Sequence, residues 1–250
     1  MTPLYTIAEI ITATGGRSDI AGDTPINSIS IDSRELGPDA VFVAIKGDRF
    51  DGHDFVDKAL ENGAVAALVG RGQGEHRIAV PDALEGLCDI ARAARARSRA
   101  IVVGVTGSVG KTTTKEAIRV VFEAAGQTHA SIKSFNNHWG VPLMLARLPE
   151  RAQFGVFEMG MNAPDEIRPL SRLVRPHIAV ITTVAAAHLE AFGSLDGIAR
   201  AKAEIFAGLE PGGTAVLNAD HPQLAVLLDE TNAAGIGNVV TYGEARGADW

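Results

Sequence analysis

Residues 104–113 read GVTGSVGKTT, a glycine-rich run that ends in Lys-Thr. It follows the apolar stretch IVVGV and opens the amphipathic stretch KTTTKEAIRVVF. Strand, glycine turn, helix is the setting in which backbone N–H groups meet phosphate oxygens at the positive end of a helix. The common phosphate loop, G-x-x-x-x-G-K-[ST], has a fixed spacing between its outer glycines. Here Gly104 and Gly110 enclose five residues, one more than that pattern, with Gly107 between them. On this reading the amides of residues 107–112 hold a nucleotide's phosphates, with Gly107, Ser108, Gly110 and Thr113 in the cradle. Lys111 lies along the β- and γ-phosphates and the Thr112 hydroxyl ligates Mg2+. The plainer alternative is a glycine turn that happens to precede Lys-Thr.

Outward from this loop, apolar strands alternate with amphipathic helices. FGVFEM (154–159), IAVITTV, TAVLNA and NVVTY read as strands, and EIRPLSRLV, SLDGIARAKAEIFAGL and PQLAVLLDE as helices between them. That rhythm predicts a parallel sheet covered on both faces, with ligands beyond the C-terminal strand ends. Toward the N-terminus, a short helix over 5–13 precedes the strands SISIDSR (28–34) and AVFVAIK (40–46), joined by a turn containing Gly37 and Pro38. Helix FVDKALENGA and strands AALVG and RIAV complete a small α/β unit ending near Pro81. A helical pattern over 83–99 sets Arg92, Arg95 and Arg99 on one stripe, which reads as a solvated face. The expected fold class is therefore α/β: a small N-terminal domain over 1–82, then a mostly parallel, helix-covered phosphate-loop sheet over 83–250. The sequence stops at GEARGADW directly after a strand, so the second sheet is expected to be incomplete and the chain part of a longer protein.

With 250 residues, 46% hydrophobic and 21% charged, the chain has a globular balance and can bury a sizeable core. Its apolar runs are too short for a membrane span, and MTPLYTIAEI lacks the basic and apolar regions of a signal peptide. A soluble cytoplasmic protein is expected, with no membrane partner. The one cysteine, Cys88, fits a reducing compartment and reads as a small apolar helix residue. A net charge of −7 argues against nucleic acid and gives no general attraction for anions, so any phosphate must be held locally.

The displaced glycine gives the loop the form G-x-T-G-[ST]-x-G-K-T-T, which resembles that of the Mur ligase superfamily. That superfamily includes the muramyl-peptide ligases and the folylpolyglutamate synthetases, and its members make amide bonds by way of an acyl phosphate. Val109 stands where Asn is frequent, a change that backbone holding of phosphate should tolerate. Further stretches carry the resemblance. Glu158 in FEMGMN ends a predicted strand and would reach the nucleotide's Mg2+; His188 in AAHLEAFGS would ligate a second magnesium. Lys202 in IARAKAEIF would be converted by CO2 to a carbamate, turning a cation into a carboxylate-like magnesium ligand. Asn218 in LNADHP would approach the adenine, with Asp220 shaping the loop and His221 in place of a frequent Asp. Taken alone, a strand-end glutamate, a histidine and a helical lysine are ordinary structural residues; the resemblance gives them roles. Lys111, His188 and Lys202 are the implied catalytic residues.

DSRELGPDAVFVAIKGDRFDGHDF (32–55) resembles a uridine-diphosphate-binding domain. It implies that Ser33, Arg34 and Lys46 contact the UDP end of a substrate, where a guanidinium suits paired phosphate oxygens. His53 and Asp54 in the same loop read at least as well as turn residues. KSFNNHWGVPLMLARLP (133–149) is similar to the F-N-N-x-x-G-V-P-L of ligases that add D-alanyl-D-alanine, although His138-Trp139 departs from the acidic and aliphatic residues common there. Asn136 and Asn137 are assigned to substrate or phosphate contact, with turn capping as the alternative. The resemblance thus implies a monomeric ATP-dependent ligase, with two Mg2+ ions and a carbamylated lysine, joining D-alanyl-D-alanine to UDP-N-acetylmuramoyl-tripeptide in peptidoglycan precursor synthesis. Family members continue through a further ATP-site motif and a C-terminal amine-binding domain that this sequence lacks. The rival readings are the sister ligase that adds the third amino acid, a folylpolyglutamate synthetase, a non-catalytic binding module and a generic phosphate-loop NTPase. The folate enzyme has no UDP-binding domain before its loop, and a generic NTPase leaves the DSR and FNN stretches unexplained.

Overall fold

The computed structural model describes residues 2–72, 74–133, 135–186 and 189–250. The chain divides into two compact units, Met1–Arg97 with Leu145–Glu150, and Ser98–Met144 with Arg151–Trp250.

The first unit runs β1 (Tyr5–Thr6), α1 (Ile7–Thr14), β2 (Pro25–Ile26), β3 (Ser28–Ser30), β4 (Ala40–Val43), α2 (Val56–Glu61), β5 (Ala66–Val69), β6 (Arg77–Ala79) and α3 (Ala83–Arg97). β1 and β2 pair antiparallel, while β3, β4, β5 and β6 form a parallel sheet in that order. A capping box starts α1: the Thr6 hydroxyl accepts from the Glu9 amide and the Glu9 carboxylate accepts from the Thr6 amide. Every residue of β4 and β5 is buried, as a strand covered on both faces requires. The two strands joined through Gly37-Pro38 lie parallel, with Ser28 opposite Ala40. Residues 31–39 therefore return the chain without a helix. That return is held by the Ser30 hydroxyl, which donates to the carbonyls of Asp32 and Glu35, and by the Asn62 amide, which donates to the Ser33 carbonyl.

The α3 helix buries Leu87, Ile90, Ala91 and Ala94 and packs on α1, β4 and β5. It belongs to the first unit, so the boundary expected at residue 82 falls after Arg97. Its arginine stripe is also not uniformly solvated. Arg95 is only 5% exposed, and Arg99 lies past the helix end, whereas Arg92 is exposed and paired with Asp89. Cys88 is half-buried on the same helix, and burial pushes its thiol pKa up to about 11.

The second unit contains β7 (Ile101–Thr106), α4 (Lys111–Ala125), β8 (Thr128–Ala130), α5 (Gly140–Ala146, which ends in the first unit), β9 (Phe154–Glu158) and α6 (Ile167–Val174). It continues with β10 (Ile178–Ile181), α7 (Leu189–Phe192), α8 (Leu195–Ala203), β11 (Thr214–Asn218), α9 (Leu224–Ala233) and β12 (Asn238–Tyr242). Among the described residues these strands form one sheet in the order β12-β11-β10-β7-β9-β8, parallel throughout. The strand order turns at β7: the chain goes to one side for β8 and β9, then to the other for β10, β11 and β12. A crevice beyond the C-terminal end of such a switch strand is where open α/β sheets bind ligands. The loop Gly107–Gly110 leaves β7 at that end. No helix among the described residues is long and apolar enough to cross a membrane.

Candidate nucleotide and acyl-substrate sites

The loop after β7 is held from the neighbouring strand β10. The Ser108 amide donates to the Thr183 carbonyl at 2.9 Å, the Ser108 hydroxyl to the Ala185 carbonyl at 3.1 Å, and the Thr182 hydroxyl to the Val109 carbonyl at 2.7 Å. Gly107, at φ 155°, lies so close to Thr182 that a Cβ there would stand 1.8 Å from Oγ1. Gly110, at φ 85°, turns the chain into α4. The sequence placed all amides of residues 107–112 around the phosphates, and the structure narrows this. The Ser108 and Val109 amides are spent on Thr183, leaving that of Gly107 and those of Gly110, Lys111 and Thr112, at the N-terminus of α4, as the donors. Val109 contributes only backbone to this clasp and its side chain is exposed, which explains why Val serves there.

Lys111 bends back over the loop, its ammonium donating to the Gly107 carbonyl at 2.7 Å. One residue on, the Thr112 hydroxyl donates to Glu158 Oε2 at 2.9 Å. Thr113 is exposed in the same turn. Glu158 ends β9 and is only 2% exposed; its other oxygen, Oε1, accepts from Asn136 Nδ2 at 2.8 Å. Both donors are uncharged, so neither neutralises the carboxylate. Lys202, in the last turn of α8, is 3% exposed. Burial, reinforced by the positive charge of Lys111, lowers its pKa from 10.5 to about 7. The structure thus gathers Thr112, Asn136 and Glu158 beside the loop that Lys111 covers, with Lys202 close enough to feel the charge of Lys111. His188, assigned to the second magnesium, lies outside the described residues.

These groups fit a magnesium nucleotide. The glycine cradle admits no Cβ at residue 107, and the nearby hydroxyl and carboxylate are the hard oxygen ligands that Mg2+ takes alongside phosphate oxygens and water. Asn218, at the end of β11, donates to the Thr182 carbonyl, which also accepts from the Tyr242 hydroxyl. Asp220 binds the amides of Glu244 and Ala245, shaping the loop as expected. His221 Nε2 accepts from the Val184 amide at 2.9 Å, tying down the same strand end that clasps the phosphate loop.

The two asparagines divide. Asn137 Oδ1 accepts from the amides of Trp139 and Gly140, the turn-capping alternative, and so starts α5. Asn136 meets Glu158 instead of capping. In the first unit, Ser33 and Arg34 follow β3, and Lys46 follows the neighbouring strand β4. Ser33 is buried, Lys46 is exposed, and the exposed Arg34 guanidinium is held bidentate by Asp32 at 2.9 and 2.7 Å. His53 is structural: its Nε2 accepts from the Gly70 amide and its Nδ1 donates to Asp51 at 2.6 Å. Those His53 contacts hold the Asp51 carboxyl well below the usual carboxylate range. A cavity of about 260 Å³ lined by His53, Asp54, Asp57, Arg71 and Arg77 has its arginines already paired, Arg71 with Asp51 and Arg77 with Asp57.

Sequence reasoning did not single out four residues near these sites: Thr182, Thr183, Phe50 and Lys115. Thr182 and Thr183 were visible only as the polar end of an apolar run, and their clasp on residues 107–109 needs the parallel pairing of β7 with β10. Phe50 is 73% exposed between Lys46 and Asp51, an apolar ring on a polar loop that hydrophobic periodicity does not flag. Lys115 is buried in α4 and donates to the Ser131 carbonyl at 2.7 Å, although its sequence context reads as helix surface.

Comparison with known proteins agrees with this geometry. Residues 105–250 match the Mur ligase middle domain, and residues 25–97 match the Mur ligase family catalytic domain. The UDP-N-acetylmuramoyl-tripeptide--D-alanyl-D-alanine ligase of Bacillus subtilis (strain 168) is 41% identical over 206 residues, covering 80% of this chain and 45% of that protein. A crystal structure of MurF from Acinetobacter baumannii superposes with a TM-score of 0.86 at 34% identity, covering 98% of this chain and 54% of that one. MurF ligase from Thermotoga maritima in complex with ADP gives 0.75 at 33% identity, covering 89% and 51%. The chain spans about half the length of the relatives it matches. With its middle-domain match alone running from residue 105 to residue 250, the chain belongs to the Mur ligase family.

Proposed function

We propose that this chain provides the UDP-substrate and ATP sites of a ligase that joins D-alanyl-D-alanine to UDP-N-acetylmuramoyl-tripeptide, acting as a monomer in the cytoplasm. The observation that carries the proposal is the cluster Lys111, Thr112 and Glu158 at the switch strand, on a chain 41% identical to a ligase of that name. The terminal carboxylate of the tripeptide attacks the γ-phosphorus of ATP, an O–P bond forms as the β,γ-bridge breaks, and ADP leaves. The amine of the dipeptide then displaces phosphate from the acyl phosphate and loses a proton. No side-chain nucleophile is needed; the protein positions reactants and balances charge.

Lys111 and the amides at the start of α4 hold the β- and γ-phosphates, and the loop clasped by Thr182 and Thr183 keeps those donors fixed. Thr112 and Glu158 would hold the nucleotide's Mg2+, and the Lys202 carbamate with His188 a second ion. Bound Mg2+ would supply charge neutralisation on the transferring phosphoryl group. A lysine whose pKa lies near 7 is well suited to carbamylation, because only the neutral amine attacks CO2, forming the N–C bond and releasing a proton. Arg34 and Lys46 would meet the diphosphate of the UDP group, and Asn218 the adenine.

The proposal is tested by incubating the protein with ATP, Mg2+ and UDP-N-acetylmuramoyl-tripeptide, leaving out D-alanyl-D-alanine and adding hydroxylamine. The expected result is ADP together with an equal amount of tripeptide hydroxamate. ADP formed equally fast without tripeptide would identify a generic NTPase. Bound ligands with neither product would favour a binding module.

A further inference from the structure

Asn136, assigned above to substrate or phosphate contact, meets Glu158. Its Nδ2 donates to Glu158 Oε1 at 2.8 Å, while its backbone carbonyl accepts from the Gly160 amide, also at 2.8 Å. The two contacts straddle Glu158 and grip the end of β9 from both its side-chain and its backbone side. Gly160 leaves room for this grip and no more: a Cβ there would stand 3.0 Å from the Asn136 amide group. On the next residue, Asn137 caps α5, so the FNN segment is anchored at one end to a helix and at the other to a carboxylate. Glu158 Oε2 faces Thr112. With Oε1 tied by Asn136, the carboxylate is held to one rotamer, with Oε2 turned toward the first turn of α4.

We propose that Asn136 is a positioning residue for the divalent cation of the nucleotide, acting through Glu158, and that the FNN segment is thereby coupled to metal occupancy. The inference rests on the nucleotide reading of the Gly107–Thr113 loop. A neutral amide donor suits this task, because it orients a carboxylate without taking the charge that a cation needs. Partners that orient a metal ligand in this way are commonly worth about 10- to 100-fold in metal affinity.

The test is ADP binding by the purified chain as a function of free Mg2+, with a parallel series in EDTA. Asn136→Ala is expected to raise the Mg2+ concentration for half-maximal enhancement of ADP binding about tenfold or more, with a much smaller change in the affinity measured in EDTA. Asn136→Asp, of the same shape, sets a second carboxylate against Glu158. It should lower the melting temperature in EDTA and show a larger rise on adding Mg2+ than the parent protein. Opposite effects of the two variants on Mg2+ dependence are what a purely structural role would not give. Equal losses with and without Mg2+ in both variants, or a Mg2+ dependence identical to the parent's, would overturn the proposal. If the parent protein itself shows no Mg2+-dependent ADP binding, the nucleotide reading fails, a result distinguishable from failure of the Asn136 inference alone.

Discussion

Lys111→Ala is expected to lower tripeptide-dependent ADP formation by roughly 10²- to 10³-fold, the loss seen when one preorganised donor to a developing negative charge is removed. The structural basis is the placement of the ammonium: it arches over the loop to the Gly107 carbonyl, 2.7 Å away, where phosphate oxygens would replace that carbonyl as its partner. Because that contact is local, the fold should survive the change. The loop is held independently by Thr182, Thr183 and Ser108, so the melting temperature without ligand should move by little. Steady-state ADP release measured beside a thermal melt separates the two effects. Undiminished turnover in the variant would remove Lys111 from the chemistry.

Lys202→Met should act in the opposite direction on stability. The lysine is buried and held near pKa 7, whereas in the unfolded chain it titrates near 10.5. Between those values the unfolded state binds a proton that the folded state does not. Stability therefore rises with pH across about 7 to 10.5, and below 7 the full cost of burying the cation is present. Methionine of similar length removes that cost. In CO2-free buffer near pH 7 the variant is expected to be more stable by a few kcal/mol, on the order of 1.4 kcal/mol for each pH unit that separates the folded and unfolded values, discounted for partial solvation. That corresponds to a melting temperature raised by roughly 2 to 4 °C per kcal/mol. The parent protein's rise in stability between pH 7 and 9.5 should be reduced in the variant. Melts across that range check both statements, and parallel pH profiles for the two proteins would show that Lys202 is not the buried base described here. A gain in stability at the expense of the metal site is the trade expected where a charge is buried for function.

Much of this was legible in the sequence because the signals were local. The amphipathic stretch that opens with KTTTKEAIRVVF is α4, Lys111–Ala125, since a glycine turn fixes its start and Gly126 its end. The apolar runs around 101–106, 154–158 and 178–181 became largely buried parallel strands because a strand covered on both faces has no polar alternation to confuse it, while the run at 214–218 became a strand whose buried residues alternate with half-buried ones. The elements missed are those with weak local signals. β8 is three half-buried residues at the sheet edge, and β1 and β2 have two residues each. Arg95 looked solvated because its spacing matched Arg92 and Arg99, but a charged residue on a helix can be buried by what packs on it, which periodicity does not report. The same limit applies at the site. The spacing of the glycine loop pointed to Lys111 and Thr112, and the family resemblance to Glu158 and Lys202. That Asn136 would face Glu158 while Asn137 capped a helix depended on a difference of one residue in direction, which only the folded loop decides.

The central claim, that a UDP-linked tripeptide is the acyl substrate bound by this chain, is tested most directly by thermal melts with UDP-N-acetylmuramoyl-tripeptide, with the UDP-dipeptide and folate as controls. A ligand at a hundred times its Kd adds about 2.7 kcal/mol to stability, enough to move the transition by several degrees. The expected result is a shift with the tripeptide that the dipeptide and folate do not match. A larger shift with the dipeptide would assign the chain to the ligase that adds the third amino acid, and no shift with either UDP compound would contradict the reading of Ser33, Arg34 and Lys46 as a UDP site.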